Sequence, residues 1–276
     1  MNLTLGFSPC PNDTFIFDAM VHGKIDTEGL RFSYFTADVE ELNRRAFRAE
    51  PHITKISYHA YAYIRENYLL LNSGSALGHG NGPLLVSSRE IPFSEAGSLK
   101  TAIPGKYTTA TLLLGIALPG PGEKIEYLFS DIEDAVVKGE VDAGLLIHEN
   151  RFTYSMKGLH RIADLGEYWE KKTGEAIPLG GIAVRRDIPP EVARRVDRVL
   201  ARSVAFALDN PESSRQFVGK YAQTMDSDVM SKHIGLYVNE FTLNLGEEGR
   251  RAVIRLMSEG SGCGMLPEIT GQIFVE

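Results

Sequence analysis

The sequence predicts an α/β protein of two lobes with a ligand cleft between them. Three observations carry that expectation. Short apolar or alternating runs are followed by helical stretches again and again up to about residue 185. This alternation falls into two blocks, separated near 89–97 by a stretch holding Pro92, Ser94 and Gly97. Everything after Pro189 is helical in pattern. The chain is expected to leave the first block and return to it, so that residues 1–88 and 186–276 form a large lobe and 89–185 a small one. The two hinge crossings are then expected near 86–90 and 182–187. Two such crossings make a cleft that can close around a ligand.

In the first block, Leu3, Leu5 and Phe7 alternate with other residues over an opening strand, 2–7, which Ser8-Pro9-Cys10-Pro11 breaks at once. Asn12 or Asp13 then caps a helix over 14–21, with Gly23 as its stop. A strand over 30–35 follows, and Asp38 with Glu41 has capping-box spacing at the head of a helix running to about 49. The next strand, 52–56, leads into a helix over 58–66 that Ser57 caps with its hydroxyl, turning backbone amides towards an anion. Strands at 68–71 and 84–87 flank Gly74, Gly78, Gly80 and Gly82. That segment reads equally as a bulged crossing or as a loop facing substrate. It is not a nucleotide fingerprint, because no helix follows and the Lys-Ser/Thr of a phosphate loop is absent.

The second block opens with a strand over 101–103 and a helix over 108–117, begun by Thr108 and Thr109 and ended by Pro119. The amino terminus of that helix again offers unpaired amides to an anion. A strand over 124–129 precedes a capping-box helix from Ser130 to Gly139, and residues 143–147 are an apolar run of the kind found inside a parallel sheet. His148 is the first residue beyond that run. Ligands of open α/β sheets gather at the carboxyl ends of the strands, so this histidine stands where chemistry is expected, although position alone suits a structural histidine as well. A helical turn over 151–157, a strand over 161–165, an amphipathic piece over 168–174 and an extended crossing over 179–184 complete the block. Helices over 189–209, 212–222, 228–238 and 247–258 form the tail.

Composition narrows the function. With 276 residues, 43% of them hydrophobic, and a net charge of -7 without a basic block, the chain suits a small-molecule partner rather than nucleic acid or a membrane surface. Its two cysteines, Cys10 and Cys263, lack the spacing of a metal site and are expected as thiols, Cys10 buried and inert. No secretory pattern precedes Pro9, and the longest apolar run, Leu112 to Leu118, is far shorter than the ~20 residues of a membrane span. A cytoplasmic location is expected.

Ser8-Pro-Cys-Pro-Asn-Asp-Thr-Phe15, Ser73-Gly-Ser-Ala-Leu-Gly-x-Gly-x-Gly-Pro-Leu84, Thr108-Thr-Ala110, Ile147-His-Glu-Asn-Arg-Phe-Thr-Tyr154 and Pro178-Leu-Gly180 together resemble the 1,4-dihydroxy-6-naphthoate synthase family. The resemblance extends to Leu236-Tyr-Val-Asn239 and so covers nearly the whole chain. It implies a type II periplasmic-binding-protein-like fold and a cytosolic enzyme of the futalosine route to menaquinone. That enzyme would convert cyclic dehypoxanthine futalosine to the naphthoate with neither metal nor organic cofactor. By motif, the family's base falls on His148 and its carboxylate-binding positions on Lys55, Ile56, Ser57, Thr109 and Ala110. Asn12, Thr108, Glu149 and Tyr154 are expected as supporting neighbours, while His79 receives no role. An imidazole exchanges protons near neutral pH, which suits a base. Two alternatives stay open: a chorismate dehydratase of the same fold, and a non-catalytic protein that captures a small carboxylate. The oligomeric state is not legible in the sequence.

Overall fold

The computed structural model describes residues 1–148, 150–222 and 227–276. Its first lobe begins with β1 (Asn2–Phe7), α1 (Pro11–Val21), β2 (Arg31–Thr36), α2 (Val39–Phe47), β3 (Ile53–Ser57), α3 (Tyr58–Ile64), β4 (Tyr68–Leu70) and β5 (Ala76–Gly78). The second lobe contains β6 (Leu84–Ser87), β7 (Thr101–Ile103), α4 (Thr109–Ala117), β8 (Lys124–Glu126), α5 (Ile132–Val137), β9 (Ala143–Leu146), α6 (Asn150–Thr153), β10 (His160–Asp164) and α7 (Leu165–Thr173). The chain then returns through β11 (Ile177–Arg185) and finishes with α8 (Pro190–Asp209), α9 (Arg215–Tyr221), α10 (Ser227–Tyr237), α11 (Glu240–Leu243) and α12 (Gly246–Gly262).

Two sheets organise these elements. The first has the order β2-β1-β3-β11-β4, with β5 also paired to β11; β1 runs parallel to β2 and β3, and β11 antiparallel to β3, β4 and β5. The second has the order β10-β6-β9-β7-β8, with β6 antiparallel to both of its neighbours and β7 parallel to β8 and β9. Strand membership moves the expected lobe boundaries. Because β6 lies in the second sheet and β11 in the first, the chain crosses over 79–83 and returns over 174–176, earlier than the expected 86–90 and 182–187. The reason is pairing: β6 is buried between β9 and β10, and β11 is ladder-bonded on both sides along its middle. The glycine-dense segment is therefore both a crossing and a contributor of one strand.

The helical tail closes around the first sheet and bridges to the second lobe. Val196, Val199, Leu200 and Val204 of α8 pack with Phe15, Ile16 and Ile182 in one core cluster. Leu256 and Met257 of α12 join Tyr61 and Ile64 of α3 and Leu112 and Leu113 of α4 in another. This second cluster also holds Leu85, Leu145 and Trp169, so apolar packing continues from one lobe to the other behind the cleft. No described helix is long and apolar enough to cross a membrane.

Candidate active site

The carboxyl ends of β3 and β9 open onto one cleft of about 680 Å³, counted out to the solvent at its mouth. Its first wall is the end of β3. Lys55 is only 7% exposed, and its Nζ lies 3.1 Å from Asp13 Oδ1. That ion pair lies outside hydrogen-bond geometry, so the buried ammonium has no hydrogen-bond acceptor among the described residues. Asp13 is itself fixed: its Oδ2 accepts from the Ser8 amide at 3.1 Å and the Ser8 hydroxyl at 2.7 Å, and its Oδ1 accepts from Asn12 Nδ2 at 3.0 Å. Lys55 is thus held by a carboxylate that cannot swing away.

Ser57 does not cap α3 with its hydroxyl, as the sequence led us to expect. Asn43 of α2 takes over both of its polar groups: the Ser57 amide donates to Asn43 Oδ1 at 3.0 Å, and Asn43 Nδ2 donates to Ser57 Oγ at 3.1 Å. The Ser57 amide is consequently engaged within the protein, whereas its hydroxyl, filled as an acceptor, keeps its own hydrogen to donate. Across the cleft, Thr108 caps α4 as expected, accepting from the Thr111 amide at 3.3 Å. The amides of Thr109 and Ala110, the first two residues of α4, have no carbonyl one turn back within the helix. The Thr109 hydroxyl ties this helix start to β11 by donating to the Leu179 carbonyl.

The second wall is the turn after β9. His148 is half-buried and has a φ of 57°, a left-handed conformation rare for a residue with a Cβ. Its ring is packed from three sides. Phe129 meets it edge-on at 5.0 Å between centroids, His233 of α10 stacks at 6.0 Å, and Cys10 Sγ lies 3.5 Å from its Nδ1. Cys10 is buried as expected but borders the candidate base, and Cys263 is exposed. Burial, then the positive potential of His148 and Lys55, holds His233 well below its ordinary pKa, so it is neutral near pH 7. Its Nε2 lies 2.9 Å from Asn12 Oδ1, and because Asn12 Nδ2 already donates to Asp13, His233 is the donor. A buried chain of polar contacts therefore runs from α10 through Asn12 and Asp13 to Lys55.

The cleft brings together His148, Lys55, Ile56, Ser57, Thr109 and Ala110, with Asn12 and Thr108 beside them. Tyr154 is not among its lining residues; it packs against the second lobe's own core in the turn over Tyr154–Lys157. His79 is exposed, with Nδ1 3.4 Å from Glu170 Oε2. Glu149 lies outside the described residues. Sequence reasoning missed Asn43, Asp13 as the partner of Lys55, Asn81 and Tyr237 in the lining, and His233 behind His148. The quoted Pro178-Leu-Gly180 motif does reach the lining, through Leu179 and Gly180.

A family model described as "Menaquinone biosynthesis" matches residues 3–261. The chain belongs to this menaquinone-biosynthesis family. A Thermus thermophilus relative named 1,4-dihydroxy-6-naphtoate synthase is 44% identical over 273 residues, 99% of each chain. A Streptomyces coelicolor relative of the same name is also 44% identical over 273 residues, 97% of this chain and 95% of its own. This member of the family is accordingly an enzyme of menaquinone biosynthesis. Among solved structures, an Archaeoglobus fulgidus protein superposes with a TM-score of 0.91 at 38% identity, covering 96% of this chain and 98% of that one. An alkanesulfonate-binding protein of Xanthomonas axonopodis, solved with MOPS bound, gives a TM-score of 0.73 at 11% identity, covering 99% and 96%. The latter likeness bears on fold alone and agrees with the two-lobed type II binding-protein architecture.

Proposed function

We propose that this menaquinone-biosynthesis enzyme is a carbon-carbon lyase that converts cyclic dehypoxanthine futalosine to 1,4-dihydroxy-6-naphthoate, with His148 as general base. The observation that carries this reading is the placement of one imidazole and one anion-binding corner in the same cleft. The substrate carboxylate is held by the Lys55 ammonium, the Ser57 hydroxyl and the Thr109 and Ala110 amides, with the positive end of α4 behind them. Asp13 already balances Lys55, so the carboxylate is held by directed donors and the helix dipole rather than by a surplus charge.

With the carboxylate fixed, the far end of the substrate is presented to His148. Cys10 Sγ lies on the Nδ1 side, so in this scheme Nε2 takes the substrate proton, which requires the tautomer that carries its hydrogen on Nδ1. Proton transfer from the sugar-derived portion to Nε2 opens that ring and starts carbon-carbon cleavage; the ribose-derived carbons leave as a separate fragment, and formation of the aromatic naphthalene drives these later steps. A fixed pose and one base suffice for such chemistry. No metal or organic cofactor has a role in this scheme, and the proposed place of action is the cytoplasm.

The test is mass spectrometry of the purified protein incubated separately with cyclic dehypoxanthine futalosine and with chorismate. Formation of the naphthoate from the first supports the reading. Turnover of chorismate alone would replace it with a dehydratase, and stoichiometric capture without product would replace it with a binding protein.

A further inference from the structure

One lining residue has no part in the scheme above. Asn81 sits between Gly80 and Gly82, is 1% exposed and faces the cleft. Neither its Oδ1 nor its Nδ2 has a hydrogen-bond partner among the described residues. A buried carboxamide normally has its donor and acceptor satisfied, and leaving both unmade is costly. A leucine of similar size would fill the space without that cost.

The surroundings fix Asn81 in place without bonding its amide. On one side the Gly80 amide donates to Glu170 Oε1 at 2.8 Å; on the other, Arg151 Nη1 donates to the Gly82 carbonyl. Gly82 is packed so tightly on Gly166 that a Cβ there would come within 2.2 Å of the Gly166 amide nitrogen. A Cβ at Gly78 would lie 2.8 Å from Asn239 Nδ2 and 3.1 Å from Asn81 Nδ2, so the Asn81 carboxamide rests against bare backbone beside an Asn239 amide that donates to the Leu77 carbonyl at 2.8 Å. The loop is pinned, and Asn81 lines the cleft with its carboxamide buried in the wall.

We propose that Asn81 is a specificity-determining residue whose carboxamide hydrogen-bonds a hydroxyl-bearing part of the substrate, Nδ2 donating and Oδ1 accepting. The ligand class follows from the two atoms. A carboxylate only accepts and would leave Oδ1 unmatched; an ammonium only donates and would leave Nδ2 unmatched; hydroxyls do both. The carboxylate already has its corner at Lys55, Ser57 and the start of α4, so Asn81 reads the sugar-derived end. This inference rests on the function proposed above.

The experiment uses the full-length protein and its Asn81→Leu and Asn81→Asp variants. Three readouts are taken: thermal melting, kcat/KM with cyclic dehypoxanthine futalosine, and affinity for 2-naphthoate, a carboxylate probe with no hydroxyl. Asn81→Leu is expected to melt no lower than wild type, to bind 2-naphthoate within about twofold of wild type, and to lose about tenfold or more in kcat/KM. Asn81→Asp, which cannot donate when ionised, is expected to lose at least as much. Wild-type kcat/KM in Asn81→Leu would overturn the assignment. So would a parallel loss of melting temperature and 2-naphthoate affinity, which would mark Asn81 as structural. Failure of the wild-type protein to turn over the futalosine substrate would overturn the parent reading, and the sugar-end assignment with it, before any variant is compared.

Discussion

The two walls of the cleft are built on opposite principles. At the end of β3, Lys55 and Ser57 are almost fully buried, and their neighbours Asp13 and Asn43 hold them by an ion pair and two hydrogen bonds. Beyond β9, His148 is half-buried, sits in a left-handed conformation and is confined chiefly by ring packing and one sulfur contact. The first wall is over-determined, as befits a site that sets where a carboxylate lies. The second carries backbone strain of about 1–3 kcal/mol at the residue proposed to move a proton. Binding and chemistry have been given to different kinds of local structure.

The largest effect should come from the strained wall. His148→Ala and His148→Asn are expected to lower kcat by about 10²–10⁴-fold while the protein stays folded, since general bases contribute on that scale. Turnover near wild type in either variant would remove His148 from its role. A companion change separates strain from chemistry. His148→Gly should be equally inactive yet more stable than His148→Ala by about 1–2 kcal/mol in denaturant unfolding, because glycine adopts a φ of 57° without the Cβ penalty. Equal stability of the two would show that the turn carries no such strain.

The over-determined wall should respond in stability as well as in binding. Lys55→Met leaves Asp13 buried without its cation, and breaking a buried pair in this way costs about 3–5 kcal/mol. Urea unfolding is the measurement, and a loss below about 1 kcal/mol would mean that Ser8 and Asn12 satisfy Asp13 unaided. A smaller and more local effect belongs to α4. Thr109→Pro removes one anion-facing amide at a helix position that tolerates proline, after a Thr108 already in an extended conformation with ψ 148°. Thr109→Val removes only the hydroxyl. KM should rise about tenfold more for the proline than for the valine, and equal values would take the Thr109 amide out of the carboxylate site.

Much of this division was legible in the sequence, and the parts that were not share a cause. The apolar runs of β1, β3 and β9 and the strand-end position of His148 are local patterns, and they stand within a residue or two of expectation. The lobe crossings were misplaced because β6 and β11 are apolar runs that look alike whichever sheet receives them; only strand pairing decides. Capping chemistry was legible where one side chain acts on its own turn: Asp38 accepts from the Glu40 amide at 2.8 Å. It failed where a tertiary partner competes. Glu133 pairs with Lys157 at 3.1 Å, and Ser57 is claimed by Asn43. His233 lies 221 positions from Asn12 and had no local signal at all.

The smallest expected effect concerns how the walls are tied together. Glu40 of α2 accepts from the Tyr107 amide of the second lobe at 3.1 Å, with Asn43, Arg44 and Glu126 around it. Burial raises its carboxyl from the ordinary 4.5 to about 7, against the lowering effects of Asn43, the Tyr107 amide and Arg44. Between those values the folded protein holds a proton that the unfolded chain has released, so this group's contribution to stability is lost as pH rises from about 4.5 to 7. His233 acts in the opposite sense. Its folded pKa is depressed, so below its ordinary 6.5 the unfolded chain takes up a proton first and stability is lost as pH falls. Burial also lowers His52 and His59, which add to the His233 slope, so between about pH 5 and 6.5 Glu40 offsets part of the stability the histidines lose on acidification. Glu40→Gln keeps an acceptor for the Tyr107 amide but abolishes its titration, so its stability should fall more steeply than that of wild type on acidification through that range. If chemical denaturation at several pH values gives the variant the same profile as wild type, Glu40 does not offset the histidines, and the link between the lobes is indifferent to the charge on Glu40.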